Sequence, residues 1–212
     1  SLLLLLCVQR AAAQSVTLED LRCEAKQSPV GIDVAQPVFS WKLASSAKDV
    51  VQTSYRILVA SSPQLLNSKP DLWDSGKIPD AKSAFIPYKG KPLQSAVTVY
   101  WKVEVGTNKG PVAAVSDRFT TGILRQQEWS SAQWIGYESL PDSMKVYPGV
   151  HGSGNKLGNK AVKRSVAPYL RKSFNIQKKV QQALVFVSGL GQYELYLNGR
   201  RVGNDFLAPG WT

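Results

Sequence analysis

Val97-Thr98-Val99-Tyr100-Trp101-Lys102-Val103-Glu104-Val105 is the stretch on which the fold turns. Its odd positions, Val97, Val99, Trp101, Val103 and Val105, are apolar, while Thr98, Tyr100, Lys102 and Glu104 are polar or amphipathic. A strand sends successive side chains to opposite faces, so strict period-two alternation marks a half-buried strand. A helix would need its apolar residues three or four apart, and no amphipathic helix longer than about two turns can be written anywhere in the chain.

The same alternation recurs upstream. Residues 16–26 place Val16, Leu18 and Cys23 among polar neighbours, and residues 37–43 carry Val38, Phe39, Trp41 and Leu43. Residues 53–60 set Tyr55, Ile57 and Val59 against Ser54, Arg56 and Leu58, and residues 117–121 close the set. Turn signals separate these runs: Ser28-Pro29, Ser62-Pro63, Lys69-Pro70, Ser75-Gly76, Lys89-Gly90 and Lys109-Gly110. Residues 65–68 can form one helical turn. Short strands with regular turns over about 100 residues predict an all-β fold that opens with an immunoglobulin/fibronectin-III-like sandwich. Trp41 and Trp101 lie within apolar alternation, which favours core packing over sugar stacking.

Residues 123–136 read as a linker, with Trp129 and Trp134 expected to seat a second module. Residues 137–212 read as the start of that module, a further β-sandwich that the chain does not complete. Strands are expected at residues 169–174 and 183–187. A hairpin is expected where residues 193–197 and 200–202 flank Asn198-Gly199, the dipeptide that tolerates positive φ at both centres of a type I′ turn. The intervening residues 141–166 are glycine-rich and form a basic loop.

The formal net charge is +11, and hydrophobic residues make up 43% of the chain, enough to build a core. Between positions 141 and 179 stand nine Lys or Arg against a single acid, Asp142. The excess charge is therefore local. It falls on a loop without a nucleic-acid-binding motif, so a solvated loop is preferred to a nucleic-acid partner, with an acidic surface or anionic glycan as the other option. Residues 1–14 resemble the remnant of a secretion signal. Leu2-Leu3-Leu4-Leu5-Leu6 is too short to span a bilayer, and Ala11-Ala12-Ala13 offers a small-residue cleavage site near Ala13. A periplasmic or secreted product without a transmembrane segment is expected. Ser1 stands first and Thr212 closes a motif, so the chain reads as a piece of a longer protein. Cleavage would remove Cys7 and leave Cys23 as a lone, buried, apolar-like residue on a strand. One His and two distant Cys supply no zinc site.

Catalytic chemistry finds little support. The candidate carboxylates Glu104, Asp117, Glu138, Asp142, Glu194 and Asp205 lie where solvated or paired acids are expected, whereas a glycosidase needs two that face one bond. His151 is the sole base available to a nucleophile, and it lies in Val150-His151-Gly152-Ser153-Gly154, a loop ill-suited to fixing a triad. No catalytic residue is assigned. Tyr193, Asn204, Asp205 and Trp211 are the candidates for carbohydrate binding. Aromatic faces stack on pyranose C–H surfaces, and Asn and Asp bond hydroxyls or hold calcium. Packing of Trp211 in the sandwich and turn capping by Asp205 is the competing reading. No other cofactor is expected.

The run from Ser188 through Gly189-Leu190-Gly191-Gln192-Tyr193-Glu194 and Asn198-Gly199 to Pro209-Gly210-Trp211-Thr212 resembles the N-terminal jelly-roll module of bacterial α-L-rhamnosidases. Ala132-Gln133-Trp134-Ile135-Gly136 and Pro168-Tyr169-Leu170-Arg171-Lys172-Ser173-Phe174 resemble the entrance to that module. Gly31-Ile32-Asp33 with Pro37 and Trp41, Tyr55-Arg56-Ile57-Leu58-Val59-Ala60-Ser61, Leu72-Trp73-Asp74-Ser75-Gly76 and Tyr100-Trp101-Lys102-Val103 resemble the immunoglobulin-like domain that precedes it. The resemblance implies a parent glycoside hydrolase that inverts at terminal α-L-rhamnosyl bonds. Its carboxylates would lie in a downstream (α/α)6 barrel of the same chain, and its partner would be a rhamnose-containing glycan. In some members such a sandwich binds rhamnose with calcium. A stand-alone carbohydrate-binding or adhesion module is the alternative.

Overall fold

The computed structural model describes residues 16–129, 132–136, 169–180, 182–204 and 208. The chain forms two compact units, Ser1–Trp129 with Leu184–Thr212, and Ser130–Ala183, which are taken separately below.

The first unit contains a two-sheet sandwich. One sheet has the order β1-β3-β6, from Val16–Cys23, Val38–Ser45 and Ile86–Pro87. The other has the order β2-β8-β7-β4-β5, from Val30–Ile32, Gly110–Thr121, Thr98–Thr107, Gln52–Ala60 and Trp73–Asp74. All neighbours pair antiparallel except β2, which runs parallel to β8. The long strands match the alternation in the sequence, and β7 alternates between half-buried and buried at every residue. β8 is longer than residues 117–121 alone suggest. The turn at Thr107-Asn108-Lys109-Gly110 lets Val112 and Val115 pair with Val105 and Val103.

Alternation places the apolar residues; contact between the sheets explains their burial. Trp101 is fully buried, with its ring 4.5 Å from that of Phe39, and Phe39 also approaches Phe119 and Trp73. Trp41 packs edge-on against Tyr55. Its indole N–H donates to Gln52 Oε1 at 3.0 Å, while Gln52 Nε2 donates to the carbonyls of Lys82 and Asp80 at 2.9 and 3.1 Å. This buried amide satisfies three groups that would otherwise cost about 1–3 kcal/mol each. The Trp101 indole N–H has no acceptor among the described residues. Cys23 is a buried free thiol, as expected, and burial pushes its pKa up to about 12.

Strands β2, β5 and β6 had no clear sequence signal, whereas a helical turn was expected at residues 65–68. The two-residue strands β5 and β6 are too short to alternate, and they exist through their bonds to β4 and β3. The helical turn is α1, Pro63–Asn67; Ser62 caps it by accepting from the Leu65 N–H, and Pro63 sits in the first turn. α1 also explains why Leu58, on the outward face of β4, is buried: Leu66 covers it together with Ala60 and half-buried Tyr100. The outer face is otherwise charged. Arg56 bonds Asp74 through Nε at 2.9 Å and Nη2 at 2.6 Å, and reaches Glu104 at 3.4 Å.

Later in this unit, β9 (Tyr196–Leu197) and β10 (Arg200–Arg201) form the expected hairpin. Asn198 and Gly199 both have positive φ, 50° and 76°, as a type I′ turn requires. Residues 184–187 form no strand. In the second unit, residues 169–174 likewise form no strand, and Tyr169, Leu170 and Phe174 are exposed. Both stretches have the composition expected of strands. Neither has a ladder partner among the described residues, and a strand is stable only when its N–H and C=O groups are paired. Trp134, in the second unit, is 69% exposed. The basic loop 141–166 and residues 1–14 lie outside the described residues.

Candidate functional site

The hairpin region carries two of the four carbohydrate-binding candidates. Tyr193 is half-buried, and its backbone N–H donates to the Ala208 carbonyl at 2.8 Å. Gly189 explains the placement of its ring. A Cβ at position 189 would lie 2.6 Å from Tyr193 Cδ1 and 2.7 Å from the Gly191 carbonyl oxygen, so only glycine admits the ring there. Asn204 is exposed and follows Gly203, whose φ of 77° turns the chain. Asp205 and Trp211 lie outside the described residues. Glu194 accepts from Tyr196 Oη at 2.8 Å and lies 3.9 Å from Arg201 Nη2, so this carboxylate is already engaged. The Val202 N–H donates to the Leu195 carbonyl, extending the pairing beyond the two-residue strands.

The remaining acids are paired rather than poised. Glu104 faces Arg56 and Lys102, and Asp117 accepts from the backbone N–H and hydroxyl of Ser28. Glu138 and Asp142 lie outside the described residues, as does His151. A general acid at neutral pH needs a raised pKa, but the carboxylates that shift move the other way. Hydrogen bonds from Arg22 and Lys42 hold Asp20 far below the usual range. The Arg56 guanidinium holds Asp74 at about 2. Burial pushes Asp71 up, but the Ser61 hydroxyl and N–H outweigh it and leave the group lowered. Glu128 is lowered first by Ser95 and then by Arg125. Among the described residues no group of three or more His, Cys, Asp or Glu could hold a metal ion, and no helix is long and apolar enough to cross a membrane.

The family described as "Rha78A-like, N-terminal immunoglobulin domain" matches residues 18–125, about half of the chain. The chain belongs to that family. A second family, "Alpha-L-rhamnosidase N-terminal domain", matches residues 178–212. An "Alpha-L-rhamnosidase" of Formosa agariphila is 33% identical over 198 residues, covering 92% of this chain and 21% of its own length. Proteins of the same name from Alteromonas sp. and Streptomyces avermitilis are 34% and 31% identical, each over 19% of its own length. The chain thus spans about a fifth of the relatives it matches, and both matching families are described as N-terminal domains. Among solved structures, the Streptomyces avermitilis α-L-rhamnosidase complexed with L-rhamnose aligns with a TM-score of 0.52 at 35% identity, over 55% of this chain and 11% of its own. The α-L-rhamnosidase from Dictyoglumus thermophilum aligns at 0.51 and 34%, over 54% of this chain and 13% of its own.

The Gly-Leu-Gly-x-Tyr run is a packing device, since Gly189 makes room for Tyr193, and it lies inside the second matched segment.

Proposed function

We propose that this chain is the non-catalytic front region of an exported α-L-rhamnosidase. It serves to scaffold the enzyme and to recognise substrate, while hydrolysis of terminal α-L-rhamnosyl bonds occurs in a downstream (α/α)6 barrel. One observation carries the reading: two rhamnosidase N-terminal segments match in order, at 18–125 and 178–212, within alignments that cover most of the chain. The engagement of Glu104, Asp117 and Glu194 by neighbouring groups supports the non-catalytic part. The leucine run and Ala11-Ala12-Ala13 support export.

The intact natural protein should release L-rhamnose from an aryl α-L-rhamnoside, and residues 1–212 alone should release none. Absence of turnover by the intact protein, or turnover by the fragment that an acid substitution abolishes, overturns the assignment. Recognition is tested by calorimetric titration with L-rhamnose, with and without calcium. Tyr193→Ala and Trp211→Ala should weaken any measured binding, and flat heats under both conditions reject a sugar site at Tyr193, Asn204, Asp205 and Trp211. Binding by a protein that never hydrolyses rhamnosides would favour the stand-alone carbohydrate-binding module instead.

A further inference from the structure

An open groove of about 740 Å³ lies on the immunoglobulin-like sandwich, away from the hairpin candidates in sequence. Lys69, Lys89 and Lys91 line it together with Leu72, Trp73 and Pro70. We propose that this groove binds an anionic saccharide, one bearing a uronate carboxylate or a sulfate ester, with the three ammonium groups facing the acid and the apolar side chains facing the sugar ring.

Three observations carry the proposal. First, the loop that carries Lys89 and Lys91 is held in place. The Lys91 N–H donates to the Leu72 carbonyl at 3.0 Å, and Tyr88 Oη donates to the Lys91 carbonyl at 2.7 Å. Gly90 lets this loop lie against the β5 segment: a Cβ there would stand 2.5 Å from Trp73 Cβ and 2.6 Å from the Leu72 oxygen. A frame of this kind reduces the ordering cost of binding.

Second, the groove's own acids are already engaged. Asp71 accepts from the Ser61 N–H at 2.9 Å and the Ser61 hydroxyl at 2.7 Å. Asp74 accepts both arms of Arg56 and the Gly76 N–H. Among the described residues, Lys69, Lys89 and Lys91 enter no ion pair within 4.0 Å, and Lys91 acts on Asp71 only by longer-range attraction. Third, the floor is apolar and partly aromatic. Trp73 is half-buried, held edge-on by Tyr88 at 5.4 Å, and thus offers a rigid surface for a pyranose face. The choice of a saccharide over another anion rests on the function proposed above.

The test titrates the full chain with an oligogalacturonate, a sulfated carrageenan oligosaccharide and a neutral mannan oligosaccharide of equal length. Binding of at least one acidic probe that weakens with salt, without binding of the neutral probe, is expected. The uronate and sulfate arms identify which acid is preferred. K69E/K89E/K91E should reduce affinity about tenfold or more, and K69A/K89A/K91A, the variant gentler on folding, should also weaken it. K26E/K48E/K109E makes the same charge change on exposed positions elsewhere and should leave affinity within about threefold. Equal loss in the two Glu triples, unchanged affinity in the Ala triple, equal binding of the neutral probe, or no binding of either acidic probe overturns the proposal. Hydrolysis of a neutral aryl rhamnoside by the intact protein is read separately, so a silent groove and a wrong enzyme class give different results.

Discussion

β7 and the segment after residue 183 are written in much the same alphabet but end in different states. Val99, Trp101 and Val103 on β7 are buried, while Val185 and Val187 are 65% and 45% exposed. Both stretches are rich in β-branched and aromatic residues. β7 pairs on both sides, with β4 and β8, and faces a second sheet; residues 184–187 have no strand partner among the described residues. Strand propensity is therefore permissive, and pairing together with an opposing layer is what converts it into buried area.

The widest gap between the two regions should appear in truncations. Trp101→Ala should cost about 3–5 kcal/mol, because it opens a cavity beside Phe39, and Tyr196→Ala on the exposed hairpin should cost less than about 1 kcal/mol. Urea melts of the full chain measure both, and equal losses would break the comparison. Trp101→Phe sharpens it. The variant keeps an aromatic plug and removes an indole N–H that has no acceptor among the described residues, so it should cost clearly less than the Ala variant.

Next in size is Gln52→Ala, which leaves the Trp41 indole and two carbonyls without their partner and should cost about 1–3 kcal/mol. An exposed pair should matter less. Arg56→Ala should cost about 1 kcal/mol in low salt and less in high salt. Asp74 is depressed to about 2 in the folded state, so its contribution is fully present above the unfolded carboxylate range. It is lost as pH falls toward 2, and acid titration of the Arg56→Ala variant should show a smaller component, the Gly76 N–H still holding Asp74. A similar but local effect is expected at Gly199, where φ is 76°: Gly199→Ala should cost about 1 kcal/mol, read as faster amide exchange in β9 and β10. Finally, in a Cys7→Ser background Cys23 should resist a disulfide reagent at pH 8 until the sandwich unfolds, since the thiol is buried and titrates at about 12.

β4 and β7 were legible in the sequence because each alternates over five residues or more, whereas only the end of β8 was. Trp41, Trp101 and Cys23 were legible as core for the same reason. β5 and β6 were not, because two residues carry no period and their pairing comes from β4 and β3. Leu58 was placed on the outward face, and only α1 packing there explains its burial. Of the site candidates, Tyr193 gained a physical explanation through Gly189, whereas Glu104 and Glu194 proved to be partners of basic side chains that lie on other strands or across the hairpin.

By itself the sequence determined an all-β chain, the alternating strands, the Asn198-Gly199 turn and the resemblance to rhamnosidase N-terminal regions. These are local properties: period, φ preference and motif order are all written between near neighbours. Only the tertiary structure decided which acids are neutralised, and that Lys69 meets Lys89 and Lys91 around one groove. In the sequence, Lys69-Pro70 and Lys89-Gly90 were only turn punctuation, twenty residues apart. They meet because β5 adds to the edge of β4 and Gly90 lets the next loop close on it, a distance that pairing can bridge and a pattern of neighbours cannot express.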